Sequence, residues 1–144
     1  MIARFGHVTV VVADVLAAIR FFELLGFAKE ASVTMAGGAF EDFLGVEALE
    51  ATHVVLAVHG LTPRFEVQLM QFHRLAAQED PNAQRLEKLG YNHICFVVSD
   101  IEAVVAQLRG EGIVVRGPLD GFHARRLYFV TGLEDITIEL SEAL

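Results

Sequence analysis

The stretch NHICFVVSDIEAVVAQLRGEGI, residues 92–113, opens with a histidine at the head of an apolar, β-prone run. A half-buried strand gains no packing from an imidazole, so His93 alone reads as a core histidine with a satisfied hydrogen bond. Residues 6–27, GHVTVVVADVLAAIRFFELLGF, change that reading. Laid against 92–113 without a gap, they put His7 on His93, Asp14 on Asp100 and Gly26 on Gly112. Val8–Val12 and Ile94–Val98, β-branched or aromatic for the most part, are predicted strands. Asp14 and Asp100 suit helix N-caps, where a carboxylate accepts from the first free backbone N–H groups. Helical spacing follows each cap: Val15, Ile19, Phe22 and Leu25 in the first copy, Ile101, Val104, Val105 and Leu108 in the second. Gly26 and Gly112 then stand where a helix stop needs a left-handed residue.

Three more strands are expected after each helix. In the first copy they are a weak one near residues 30–35, THVVLAV and RFEVQLMQF; in the second, IVVRG, RRLYFV and DITIEL. The first copy also carries GGAFEDFLGVEALE, which suits a short helix. The polar segment HRLAAQEDPNAQRLEKLGY, residues 73–91, reads as a connector. The expected fold class is therefore α+β, with two βαβββ modules (about 4–72 and 92–142) in a single domain spanning 1–144.

Composition narrows the partners. A net charge of −8 repels nucleic acid and anionic membranes, so neither is expected. The aromatics are 11 Phe and only two Tyr, which is buried bulk rather than a base-stacking surface. Cys95, the single cysteine, cannot form an internal disulfide, and MIARFGHVTV lacks the pattern of a secretory leader. The apolar run from Val8 is broken at Asp14, well short of a membrane span. A soluble cytoplasmic protein is expected.

Side chains alternate across a strand, so Phe65, Val67 and Leu69 share one face while Glu66, Gln68 and Met70 share the other. Likewise Ile136, Ile138 and Leu140 oppose Thr137 and Glu139. The last strand of each module thus carries a polar donor opposite its apolar face, and the first strand opens on a histidine. If the modules are related by a pseudo-twofold, His7 matches His93 and Gln68 matches Glu139. Two imidazoles, an amide oxygen and a carboxylate suit a divalent metal with open positions, such as Zn, Ni, Co, Mn or Fe. Cys95 shares the parity of His93 but lies two residues deeper.

The paired openings, together with the closing YFVTGLEDITIEL, resemble the vicinal oxygen chelate superfamily over nearly the whole chain. That superfamily includes glyoxalase I, methylmalonyl-CoA epimerase, extradiol dioxygenases, fosfomycin-resistance transferases and bleomycin-binding proteins. The resemblance implies a glyoxalase-like fold whose modules build a curved mixed sheet around a cleft. It implies metal ligands on the first and last strand of each module, at His7, Gln68, His93 and Glu139. It also implies a homodimer. Glyoxalase I usually carries Glu at the second ligand position, whereas His-Gln-His-Glu resembles the epimerase, as does the string EVQLM. The sequence departs from the family at TGLED, which replaces a DPxG-type turn, and in lacking the epimerase loop around its extra glutamate.

The implied chemistry is isomerisation, or a lyase reaction, by proton abstraction beside a metal-bound carbonyl through an enediolate. Glu139 would be ligand and base in the glyoxalase reading. The epimerase reading needs a second carboxylate, for which Glu41 and Glu47 are the candidates, with Asp42 beside them. Two other readings use the same fold. One is a metal-free drug-binding protein of the bleomycin-resistance kind, whose acidic cleft the net charge would suit. The other is a small extradiol-type dioxygenase using His7, His93 and Glu139. A fosfomycin transferase is less suited, since no phosphonate-binding cluster of Lys and Arg is visible. His53, His59, His73 and His123 read as surface or loop histidines. His123, Arg125 and Arg126 are placed to reach a substrate carboxylate or phosphate, though solvated charge is the simpler reading.

Overall fold

The computed structural model describes residues 1–144. The chain divides into two compact units, Met1–Gln78 and Glu79–Leu144, and the division falls inside the expected connector.

The first unit runs β1 (His7–Val11), α1 (Val15–Leu24), β2 (Ala28–Ala36), α2 (Gly38–Leu44), β3 (Glu50–Ala57) and β4 (Glu66–Phe72). Its four strands lie in the order β1-β4-β3-β2, with β1 parallel to β4 and the other pairs antiparallel. Helix α1 begins where it does because Asp14 accepts from both Leu16 N (2.9 Å) and Ala17 N (3.0 Å). It stops at Gly26, whose φ of 87° only glycine adopts cheaply. Its buried face is Ala18, Phe21 and Phe22, packed across β2, β3 and β4. Phe22 meets Phe21 and Phe27 edge-on at 5.3 and 5.6 Å. Val54, Leu56, Val67 and Leu69 complete this core, all at 1% exposure or less. Each such side chain contributes about 2 kcal/mol of transfer free energy.

The second unit repeats the plan: β5 (Ile94–Val97), α3 (Ile101–Gly110), β6 (Val115–Phe122), β7 (Arg125–Thr131) and β8 (Thr137–Ala143), with a short 3-10 turn at Leu133–Asp135. The strand order is β5-β8-β7-β6, again with only the first pair parallel. Asp100 caps α3 through Ala103 N at 3.0 Å. Ile101, Val105 and Leu108 are buried along the helix, which lies on β6 and β8. Facing them are Val130, Ile138 and Leu140.

The two βαβββ modules of the expected α+β fold are therefore present, each as its own four-stranded mixed sheet. Both edge strands run longer than their sequence suggested. Strand β2 is solvent-exposed at nearly every position, so it carries no alternation to read. Strand β6 continues through Pro118 by shifting register between Arg116 and Leu119, which an edge strand tolerates because one side needs no ladder hydrogen bonds. No helix is long and apolar enough to cross a membrane.

Candidate metal centre and its surroundings

In each unit the apolar face of the sheet is covered by its helix, and the opposite face is open. On the open face of the second unit stand Cys95 and Val97 from β5, Glu139 and Ser141 from β8, and Leu127 and Phe129 from β7, as the register requires. His93, one residue before β5, brings its Nε2 to 3.7 Å from Glu139 Oε2, with 32% and 17% of the two side chains exposed.

The tautomer of a neutral His93 follows from its neighbours. The Asn92 amide donates from Nδ2 to the Leu86 carbonyl, which can only accept. That fixes the Asn92 oxygen toward His93, and Oδ1 lies 2.7 Å from Nδ1. Nδ1 must therefore carry the hydrogen. In the neutral ring Nε2 is then a bare lone pair, facing a carboxylate oxygen. The two acceptors are 3.7 Å apart, a separation that one metal ion could span at ordinary ligand distances. The imidazole also lies against the Phe129 ring, centroids 5.5 Å apart, which limits its rotation.

Cys95 is paired with Glu139 across β5 and β8. Although its residue surface is partly open, packing around the sulfur pushes the thiol up to about 11, and a hydrogen bond to Glu139 adds to the shift. At neutral pH it is a thiol, not a competing thiolate ligand.

The first unit holds the counterpart pair. In β1 and β4 His7 sits opposite Glu66 and Thr9 opposite Gln68. In β5 and β8 Cys95 sits opposite Glu139, so the histidine precedes the last-strand donor by the same step in both registers. His7 is exposed, at the open edge of its sheet. Gln68 is held on two sides: its Oε1 lies 3.0 Å from His53 Nε2 and its Nε2 donates to Glu66 Oε2 at 3.3 Å. Because the amide nitrogen serves Glu66, the amide oxygen accepts from His53, leaving one oxygen lone pair free. Arg64, bound to Glu66 Oε1 at 2.7 Å, holds the Glu66 carboxyl below its usual range, with Gln68 helping.

His53, expected as a surface or loop histidine, instead lies within β3 opposite Met70, on the same face as Gln68. The signal was available: His53 has the parity of Val55, which pairs with Gln68. It was hidden because the strand register is not written in the sequence. Glu41 lies in α2, where its Oε1 accepts from Leu49 N at 3.0 Å and closes the loop after the helix. Asp42 and Glu47 lie on and after that helix, and both are exposed. Of the two arginines near the β6–β7 turn, Arg126 is consumed by Asp120 (2.7 and 3.0 Å) and Glu102 (2.9 Å). Arg125 is not; it donates to the Ser141 hydroxyl at 3.1 Å.

No three His, Cys, Asp or Glu side chains gather into one cluster, so the donors stand in pairs. The donor types still fit a divalent ion of intermediate hardness: one imidazole nitrogen with a carboxylate oxygen, and one imidazole with an amide oxygen. The tautomer of His93 is the one a metal ligand requires.

The fold is one of paired βαβββ units, with a histidine at or just before the first strand and a polar donor, Gln68 or Glu139, on the last strand of each. The family model of the glyoxalase/bleomycin resistance protein/dioxygenase superfamily matches residues 6–129, and the chain belongs to that superfamily. Among solved structures it is similar to a glyoxalase family protein of Bacillus cereus, with a TM-score of 0.89 and 25% identity over 100% of this chain and 96% of that one. The trypanothione-dependent glyoxalase I of Leishmania major has a TM-score of 0.70 at 20% identity, covering 96% and 86%. The fosfomycin resistance protein of Listeria monocytogenes, solved with Mn(II) and sulfate, has a TM-score of 0.65 at 14% identity, covering 100% and 93%. A search of curated proteins found no match.

Proposed function

We propose that this chain is a divalent-metal-dependent isomerase or lyase of the glyoxalase I or methylmalonyl-CoA epimerase kind, removing a proton beside a carbonyl of a small molecule. The observation that carries the reading is the His93–Glu139 pair, two acceptors 3.7 Å apart with the imidazole tautomer fixed by Asn92. The ligands in this proposal are His7, Gln68, His93 and Glu139, one pair from each module. A bound ion would supply Lewis-acid polarisation of the substrate carbonyl.

The remaining steps belong to the protein. Glu139 takes the proton from the carbon beside the carbonyl, within hydrogen-bond reach of a substrate lying on the open sheet face. Phe129 and Leu127 beside it keep that face apolar, which strengthens the local electrostatics. Return of the proton to the other face falls to Glu41 or Glu47; Leu49 N–H already orients the first of these. Asn92 and His53 act through their neighbours, as positioning residues for His93 and Gln68.

The proposal carries with it a homodimer, supported by exposed valines on the open faces: Val11 at 44%, Val33 at 55% and Val97 at 68%. It also carries a reducing cytoplasm, supported by a single unpaired cysteine. The test is turnover. Metal-loaded protein should either isomerise hemithioacetals or epimerise acyl-CoA thioesters, and Glu139→Gln should reduce the rate by at least about a hundredfold. Failure of loaded protein in both assays would remove the isomerase reading and leave the metal-free binding protein or the dioxygenase.

A further inference from the structure

Most cations of this chain are either exposed or matched. Lys88 is partly buried and pairs with Asp80, and Arg126 is partly buried and pairs with Asp120 and Glu102. Arg125 alone is partly buried with no carboxylate in ion-pair range; its hydrogen-bond partner is the neutral Ser141 hydroxyl at 3.1 Å. Withdrawing a guanidinium from water without a counter-charge is costly, and in a chain of net charge −8 an acidic partner was not scarce.

Arg125 lines a hollow of about 410 Å3 in the second unit, with Cys95, Leu127, Glu139 and Ser141 around it. That volume lies within the range that holds small ligands. Apart from Arg125 and Glu139 the lining is mainly apolar or neutral. Ser141 follows Glu139 by two residues on the same face of β8, roughly 7 Å along the strand at about 3.4 Å per residue. Because Arg125 reaches Ser141, a cationic end and the Glu139 carboxylate lie at opposite ends of one trough. The turn that introduces Arg125 runs through His123 and Ala124 with φ of 51° and 55°. Both central residues of the hairpin are therefore left-handed, a costly conformation for alanine, and His123 lines the same hollow.

We infer that this hollow is a carboxylate-recognition site: Arg125 takes the anionic end of a small oxo acid, whose carbonyl end then lies at Glu139. This rests on the isomerase reading for the role of Glu139, but not for anion binding itself. Arg125 has three guanidinium N–H groups beyond Nε and the one given to Ser141, enough for a planar two-point contact with a carboxylate. The spacing suits a carboxylate separated from the reacting carbonyl by a few carbon atoms. Arg126, tied to Asp120 and Glu102, takes no part.

The probe is 5-oxohexanoate against its neutral methyl ester, titrated by NMR into the full chain, once stripped with chelator and once supplied with Zn2+. The acid should bind at least about tenfold more tightly than the ester, and Arg125→Met should abolish that preference, weakening the acid far more than the ester. Arg125→Lys should keep part of the preference. Arg126→Met, which removes an equal charge outside the hollow, should keep all of it. Equal binding of acid and ester, or an unaltered preference in folded Arg125→Met, would overturn the inference. Because the preference is read in stripped protein too, its loss would say nothing against the metal centre, and a protein that binds no metal would not cancel it.

Discussion

His93 shows how much a single neighbour decides. Asn92 is an ordinary polar residue in sequence, yet its amide, anchored on the Leu86 carbonyl, selects which imidazole nitrogen is free. Replacing it by alanine should leave the fold intact and weaken divalent-metal affinity by about 10- to 100-fold, as measured by calorimetric titration. An unchanged affinity would mean that His93 is oriented by something else. The histidine itself was legible only because His7 repeats it, with Asp14/Asp100 and Gly26/Gly112 repeating in step. His53 had no such echo: Leu127 holds the matching place, opposite Ser141 as His53 is opposite Met70. Arg125 and Arg126 looked alike in sequence, and only the positions of Asp120 and Glu102 separated them. Phe21 was also missed, because an aromatic adjacent to the apolar stripe broadens the buried face beyond the ideal spacing.

Among the elements, the two strand–helix openings were the most readable, since cap, stripe and stop each have a local cause. Asp14→Ala should destabilise by about 1 kcal/mol, and by more than Asp100→Ala, because Asp14 serves two N–H groups and Asp100 one. Equal losses in denaturant melts would contradict the capping geometry. Gly26→Ala isolates the backbone: a Cβ there meets nothing within 4 Å, so the whole cost comes from φ of 87°. It should amount to about 1 to 2 kcal/mol, with no change in metal content. The edge strands β2 and β6 were poorly legible for the opposite reason. Strand β2 is exposed along most of its length and β6 is interrupted by a register shift around Pro118, so neither shows a clean period of two. The pairing of β1 with β4 and β5 with β8 is a long-range choice that no local spacing encodes.

Across the whole molecule, charge and chemistry are separated. Arg64 joins Glu30 of β2 to Glu66 of β4, holding both carboxyls below their ordinary value of 4.5, chiefly through its own hydrogen bonds. A carboxyl depressed in the folded state stabilises above its unfolded value and loses that contribution as pH falls through the folded one. Thermal midpoints should therefore fall as the pH drops below about 4.5, and Arg64→Met should flatten that acid limb by lowering the midpoint modestly at pH 7 while converging on the natural chain at low pH. An identical acid limb in the variant would exclude Arg64 as its source. Gln68 touches this network through Glu66, whereas His93 and Glu139 stand apart from it, and the central claim is that the donor pairs hold a metal. The most direct measurement is elemental analysis of protein purified without added metal and again after exposure to Zn, Ni, Co, Mn and Fe. A divalent ion bound stoichiometrically in the natural chain, and lost in folded His93→Ala and Glu139→Gln, is the predicted result. A chain that takes up none of these ions, or variants that bind as the natural chain does, would contradict it.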